Sequence, residues 1–227
     1  MTHFVSLLLA AALTVSGACA NAATFTASFV DAQGKPVTDA VLTLKGPAGK
    51  PVTAAKADMD QRNQEFAPHV LAVHTGTEIS FPNSDNIRHQ VYSFSPAKHF
   101  ELRLYGGTPS EPVLFDRPGV VVLGCNVHDW MLGYVYVTDD NWFGVSNDKG
   151  LLTLEGLPAG HYVATMWHPQ VADMMPVAGG EFDIPDAGLR QRFSLVLLPK
   201  GEDAPAAPPS SAFGDAFHKA AHDEASH

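Results

Sequence analysis

Cysteine is nearly missing from this chain. Only Cys19 and Cys125 occur in 227 residues, too few for a disulfide framework. Positive charge is also scarce: 14 Lys and Arg stand against 24 Asp and Glu, and the formal charge of −10 makes nucleic acid and anionic lipid poor partners. Long apolar runs are absent as well. The run from Phe4 to Val15 is shorter than the roughly 18 residues that a membrane span requires, and no later stretch approaches that length. No transmembrane span is therefore expected. No sustained 3.6-residue apolar period runs through the chain either, which argues against amphipathic helices. With 19 Gly and 17 Pro breaking short apolar segments, an all-β fold is expected.

What is there begins with a leader. The apolar run is followed by small residues ending in Ala20-Asn21-Ala22, the pattern of a secretory signal peptide cut after Ala22, although His3 is the only basic group ahead of it. Export to the periplasm follows. Processing as a lipoprotein at Cys19 is disfavoured by Ser16, which stands where such signals want an aliphatic residue. Cleavage after Ala22 leaves roughly 205 residues, enough for one large or two small domains. It removes no Lys, Arg, Asp or Glu, so the charge is unchanged, but it removes Cys19. Cys125 is then alone in a compartment that favours disulfides. It can be a small buried residue, a reactive thiol or a metal thiolate.

Residues 25–44 alternate through Phe25, Ala27 and Phe29, turn at Asp31-Ala32-Gln33-Gly34, and resume at Val41. Residues 146–167 repeat that grammar. Asn147-Asp148-Lys149-Gly150 turns, Leu152 and Leu154 alternate, Leu157-Pro158-Ala159-Gly160 turns again, and Tyr162 to Trp167 reads as a strand. After a further loop, Arg192 to Leu198 reads as the last strand. These two stretches resemble the halves of a carboxypeptidase regulatory-like domain, a small seven-stranded β-sandwich of Ig-like type. The resemblance implies that the halves pack together around whatever the intervening hundred or so residues form. The expected organisation is a signal peptide (1–22), a first half-sandwich (23–51), an inserted domain (52–140), a second half-sandwich (141–200) and a disordered tail (201–227), rich in Ala, Pro and Ser.

The insert carries the chemistry. In GCNVHDWMLG, Cys125, His128 and Met131 are spaced by three, after the β-branched run Gly119–Cys125 and before the strand Met131–Asp139. A hairpin whose loop ends are pinned by its ladder lets all three side chains face one point. Upstream, Pro82-Asn83-Ser84-Asp85 breaks the chain and a new strand starts at His89, so His89 can reach the loop from a neighbouring strand. A thiolate, two imidazoles and a weak thioether suit copper, whereas zinc more usually recruits further Cys, His or carboxylate. The expected ligands of one copper ion are His89, Cys125, His128 and Met131. Taken singly, each has a plainer role: a core cysteine, a core methionine, solvated histidines. His69, His74 and His99 are expected at the surface, and Trp167-His168-Pro169 is expected to be a strand end.

Phe66, Pro68, Gly76, Ile79, Phe81, Asn83, Asp85 and His89, followed by the Cys-x-x-His-x-x-Met loop, resemble a cupredoxin domain, a Greek-key β-sandwich, with the short ligand loop of amicyanins. The whole chain resembles exported bacterial proteins labelled as methylamine utilisation proteins. Two departures stand out: Gln90 occupies a position commonly Asn, where it helps tie the ligand loops together, and Asn126, Val127 and Asp129 stand where prolines often stiffen the loop. The resemblance implies a one-electron carrier that exchanges electrons with a c-type cytochrome or a quinoprotein dehydrogenase. A periplasmic copper chaperone or store would use the same ligands, and a cupredoxin-like recognition module is a third possibility. No enzymatic activity is expected. A Cys–His hydrolase would need an oxyanion-hole motif and a third group to orient the histidine, and neither is evident.

Overall fold

The computed structural model describes residues 23–47, 55–109 and 111–199. The expected signal peptide and tail, and the boundary at 51/52, lie outside them. The described residues form β1 (Ala23–Val30), β2 (Val41–Lys45), β3 (Lys56–Asp58), β4 (Asp60–Arg62), β5 (Glu65–Ala67), β6 (Val70–His74), β7 (Thr77–Ser80), β8 (His89–Ser95) and β9 (Lys98–Tyr105). Then follow β10 (Val113–Phe115), β11 (Gly119–Gly124), β12 (Leu132–Thr138), β13 (Trp142–Val145), β14 (Leu151–Leu157), β15 (Gly160–Trp167), β16 (Val177–Ile184) and β17 (Leu189–Ser194). A single 3-10 turn, Ala172–Met174, is the only helical element among them. The fold is all-β.

One group of strands draws on both ends of the described chain. A sheet ordered β14-β1-β17 faces a sheet ordered β13-β2-β15-β16. In β1 every second residue points inward, so Ala23, Phe25, Ala27 and Phe29 are buried while their neighbours are not. Phe25 stacks on Phe182 of β16 at 5.4 Å, which joins the two sheets, and Phe29 stacks on Phe193 of the neighbouring β17 at 5.3 Å within the first. Ser146 stitches the segments together: its hydroxyl donates to the Val37 carbonyl at 2.8 Å and accepts from the Ala40 N–H at 2.9 Å. The segment expected to be a loop before the last strand contains β16, and the last strand is 189–194 rather than 192–198. Two adjacent glycines interrupt the alternation and hide β16 in the sequence, although Phe182 and Ile184 pack on the core and the ladder with β15 carries the glycine stretch.

The second group contains a five-stranded sheet, β6-β12-β11-β8-β9, a three-stranded sheet, β10-β7-β3, and the β4-β5 hairpin. Its core holds Met59, Phe66, Ile79, Phe81, Val91, Phe115, Leu123, Cys125 and Met131. The five-stranded sheet is covered on both faces near its β12 end. Val135 and Val137 point into this core, whereas Tyr134 and Tyr136 point into the core of the first group. There Trp167, at the end of β15, meets both tyrosine rings at 5.7 Å. Six consecutive residues of β12, Gly133–Thr138, are buried as a result.

Candidate metal centre

β11 and β12 form an antiparallel hairpin whose last pair is Gly124 with Leu132. The strands therefore stop one residue short of the expected ends, and Cys125 and Met131 become the first and last residues of the loop. Both side chains turn into the same core, and both are almost fully buried. The two bracketing glycines are not turn residues. A Cβ on Gly133 would lie 2.7 Å from the Phe66 ring, and one on Gly124 would lie 2.7 Å from the Tyr92 ring. Aromatic rings cover the backbone on both sides of the loop, so the hairpin accepts no side chain there.

His89 opens β8, fully buried, and His128 lies within the loop at 9% exposure. His89, Cys125 and His128 each present a ligand atom, all within 4.8 Å of one another. The Cys125 Sγ lies 3.8 Å from His89 Nδ1, and the two imidazole centroids are 4.9 Å apart. Met131 N–H donates to the His128 carbonyl at 3.0 Å, closing the turn that returns the chain to β12.

A carboxylate stands behind His89. His89 Nε2 donates to Asp85 at 2.8 Å, which leaves Nδ1 to face the sulfur. Asp85 also accepts from the backbone N–H groups of Asn63 at 2.7 Å and Gln64 at 2.9 Å. Those two residues have φ of 56° and 61°, an unfavourable conformation for side-chain-bearing residues that aims both N–H groups at one carboxylate. Asn83 steadies the loop, donating to the carbonyls of Ile87 and Tyr105 and accepting from the Asp85 N–H at 3.0 Å. Burial would raise the Asp85 pKa, but these donors outweigh it and hold the carboxyl below the usual range.

The thiol and the imidazole perturb each other. Burial would push the Cys125 thiol up, yet the His89 hydrogen bond and the N–H groups of Gln90, Val127 and His128 bring it below its ordinary value. Burial would likewise push His89 down, but Cys125 and Asp85 favour its charged form and raise it. Both effects favour the thiolate–imidazolium form of the pair relative to isolated groups.

Gln90 does tie the ligand segments together. Its Oε1 accepts from Asn126 Nδ2 at 2.8 Å, and its Nε2 donates to Glu101 on β9 at 2.6 Å. The longer side chain reaches the loop directly, so the departure from Asn does not leave the loop untethered. The expectation that no third group orients the Cys–His pair is overturned by Asp85. Even so, Cys125 is 2% exposed, and the surrounding N–H groups aim at its own sulfur rather than at the place of a substrate oxygen. The arrangement encloses the sulfur instead of delivering it to a substrate.

Of the other histidines, His69 is exposed and pairs with Asp39 at 2.9 Å, and His99 is exposed. His74 is half-buried, its Nδ1 hydrogen-bonded to the Thr75 carbonyl. His168 does follow the end of β15 but is buried, and its Nδ1 accepts from the Gln170 N–H at 3.1 Å. Asp85 and Trp130 were not assigned roles from sequence. The sequence places Asp85 in the block that resembles a cupredoxin, four residues before His89, but does not show its role, since its backbone donors come from a distant turn. Trp130 packs on the His128 ring.

No protein-family model matches the chain, and no curated protein does. Among solved structures, it is similar to a novel purple cupredoxin from Nitrosopumilus maritimus, 22% identical, over 36% of this chain and 99% of that one, with a TM-score of 0.33. It is also similar to a copper-containing nitrite reductase from Thermus scotoductus, 24% identical, over 40% of this chain and 23% of that one, at 0.34. An oxidised amicyanin mutant is 15% identical over 42% of this chain and 99% of that one, also at 0.34. What the site can do follows from its own atoms.

Proposed function

We propose that the protein is an exported cupredoxin-type electron carrier that holds one copper ion through His89, Cys125, His128 and Met131. The observation that carries this reading is the buried convergence of a thiol and two imidazoles within 4.8 Å, with both Cys125 and His89 already fixed by hydrogen bonds. The donor set fits the metal: a thiolate with two imidazoles and a weak thioether accommodates both copper oxidation states. Bound there, the ion would supply a one-electron couple. The chain's own part is to keep the donors still. Asp85 holds the proton on His89 Nε2, Gln90 tethers the loop through Asn126, and the apolar core around Cys125 and Met131 excludes water.

His128 lies in the loop beside exposed Asn126, Val127 and Asp129, so it is the ligand that a docking redox protein would meet. A c-type cytochrome or a quinoprotein dehydrogenase of the periplasm is the partner we propose. The same proposal divides the chain into a copper domain (52–140) set between the halves (23–51 and 141–200) of a regulatory-like sandwich. Supporting it, β1 pairs with β14 and β17, and β2 pairs with β13 and β15. A copper store or chaperone would use the same ligands but would gain nothing from fixing them in advance. The deciding experiment is the visible and EPR spectrum of Cu(II)-loaded protein. An intense blue band with narrow copper hyperfine splitting is expected, and a pale protein with ordinary splitting would overturn the carrier reading.

A further inference from the structure

We propose that Trp130 is a positioning residue for His128, an indole clamp that keeps the outermost imidazole of the site in its ligand position. The inference rests on the reading of His128 as a copper ligand, and it bears on whether the site retains its ion.

The loop lacks the prolines that would stiffen it, and its residues Asn126, Val127 and Asp129 are exposed. His128 is nonetheless almost buried. Rings from two directions contribute to that. The His89 imidazole lies at 4.9 Å between centroids, tilted by 58°, and the Trp130 indole lies at 5.1 Å, tilted by 57°. The turn closed by the Met131 N–H to His128 carbonyl bond gathers the residues between them into one tight bend, with the indole beside the imidazole. His89 is immobilised by Asp85, so it forms the fixed jaw, and the indole forms the other.

A second observation points the same way. Trp130 Nε1 is buried and has no hydrogen-bond partner among the described residues. A buried indole N–H usually finds an acceptor, and leaving one unmade is unfavourable. The ring is therefore not placed by its polar end. Its position is set by the packing of its face and edge, and the imidazole is part of what it packs on. Removing the indole would take away one of the two rings packed on His128 and open space beside the imidazole. The imidazole could then rotate away from the site and water could enter, which is the first step of ion loss.

The test uses full-length wild-type protein and the Trp130→Phe and Trp130→Ala variants. The Cu(II) spectrum of the wild type comes first. If the wild type shows no thiolate-to-copper band, the copper-carrier reading itself fails. Given the band, each protein is reduced and the transfer of Cu(I) to the chelator bicinchoninate is timed. Trp130→Ala is expected to release copper about tenfold faster or more, the usual scale for losing a group that orients a ligand. Trp130→Phe, which keeps an aromatic face, should stay within about threefold of wild type. Metal-free protein gives an independent readout: in histidine-labelled NMR spectra the His128 ring should give a single set of signals in wild type and averaged or multiple signals in Trp130→Ala. Unaltered release and an unaltered His128 ring in Trp130→Ala would overturn the clamp while leaving the copper reading intact. If Trp130→Ala does not fold, Trp130→Leu is read by the same measurements, with the same expected and overturning results.

Discussion

At Cys125, three backbone N–H groups and one imidazole outweigh burial and bring the thiol below its ordinary value despite the apolar core around it. Replacing it with serine should abolish any blue band, because the colour comes from thiolate-to-copper charge transfer and a hydroxyl cannot supply it. Full colour in Cys125→Ser would remove the cysteine from the site. Met131→Leu keeps the core volume and takes away only a weak axial donor, so copper should stay bound with a shifted potential, read by redox titration. Asp85 gives a prediction that needs no metal. Its folded carboxyl is lowered, so the stability it contributes is present above the unfolded value of about 4 and is lost as pH falls through the lower folded value. Asp85→Ala strands two backbone N–H groups and His89 Nε2, which should cost about 2–4 kcal/mol at neutral pH. The difference from wild type should shrink below pH 4 in denaturant titrations; a constant difference would mean that the carboxylate charge is not what matters. At this scale Cys125, His128 and Met131 were legible because one short loop spaces them. Asp85 stood out only as part of the resembling block and its role did not, because a role made by N–H groups from residues 63 and 64 has no signature near residue 85.

Among the elements, β12 joins the site to the rest of the molecule. Its Tyr-Val-Tyr-Val core reads readily as a strand, but the pattern conceals that its two apolar faces serve different cores. A half-buried strand alternates apolar with polar residues; here the alternation is aromatic with aliphatic, a mark of burial on both sides that is visible only once a partner for the tyrosines is known. The edge strand β9, with Lys98, His99, Glu101 and Arg103, and the glycine-containing β16 escaped for the opposite reason. Each packs apolar residues on one face only, Phe100 and Leu102 in β9 and Phe182 and Ile184 in β16, and relies on its neighbour's ladder for the rest. Trp167 is the test of the junction. It is fully buried against Tyr134 and Tyr136, and Trp167→Ala should cost about 3–5 kcal/mol in chemical unfolding, with Trp167→Phe losing less. A loss under 1 kcal/mol would mean that the tyrosine rings are held from elsewhere. Because Tyr134 lies only two residues beyond Leu132, where the ligand loop ends, the same variant should also broaden the copper signals if the junction supports the site.

For the molecule as a whole, the choice between carrier and chaperone depends on how far the site is arranged before metal arrives. A carrier needs the same donors in both oxidation states, since each ligand that moves adds to the barrier for electron transfer. Here the hairpin ladder pins Cys125 and Met131, Asp85 locks His89, Gln90 holds the loop, and the sheet beneath is packed on both faces near β12. Asn126, Val127 and Asp129 are exposed, and His128 among them is buried and flanked by two rings. The formal charge of −10 adds a kinetic expectation: association with a positively charged partner should be steered electrostatically and should slow as salt rises. Reduced, copper-loaded protein mixed with an oxidised, basic c-type cytochrome should therefore pass electrons first. The cytochrome spectrum should change while copper remains bound, and the rate should fall with ionic strength. Adding a metal-free copper acceptor to the same mixture supplies the competing outcome. If copper reaches that acceptor before the cytochrome is reduced, the fixed donors do not retain the ion and the protein delivers copper rather than electrons.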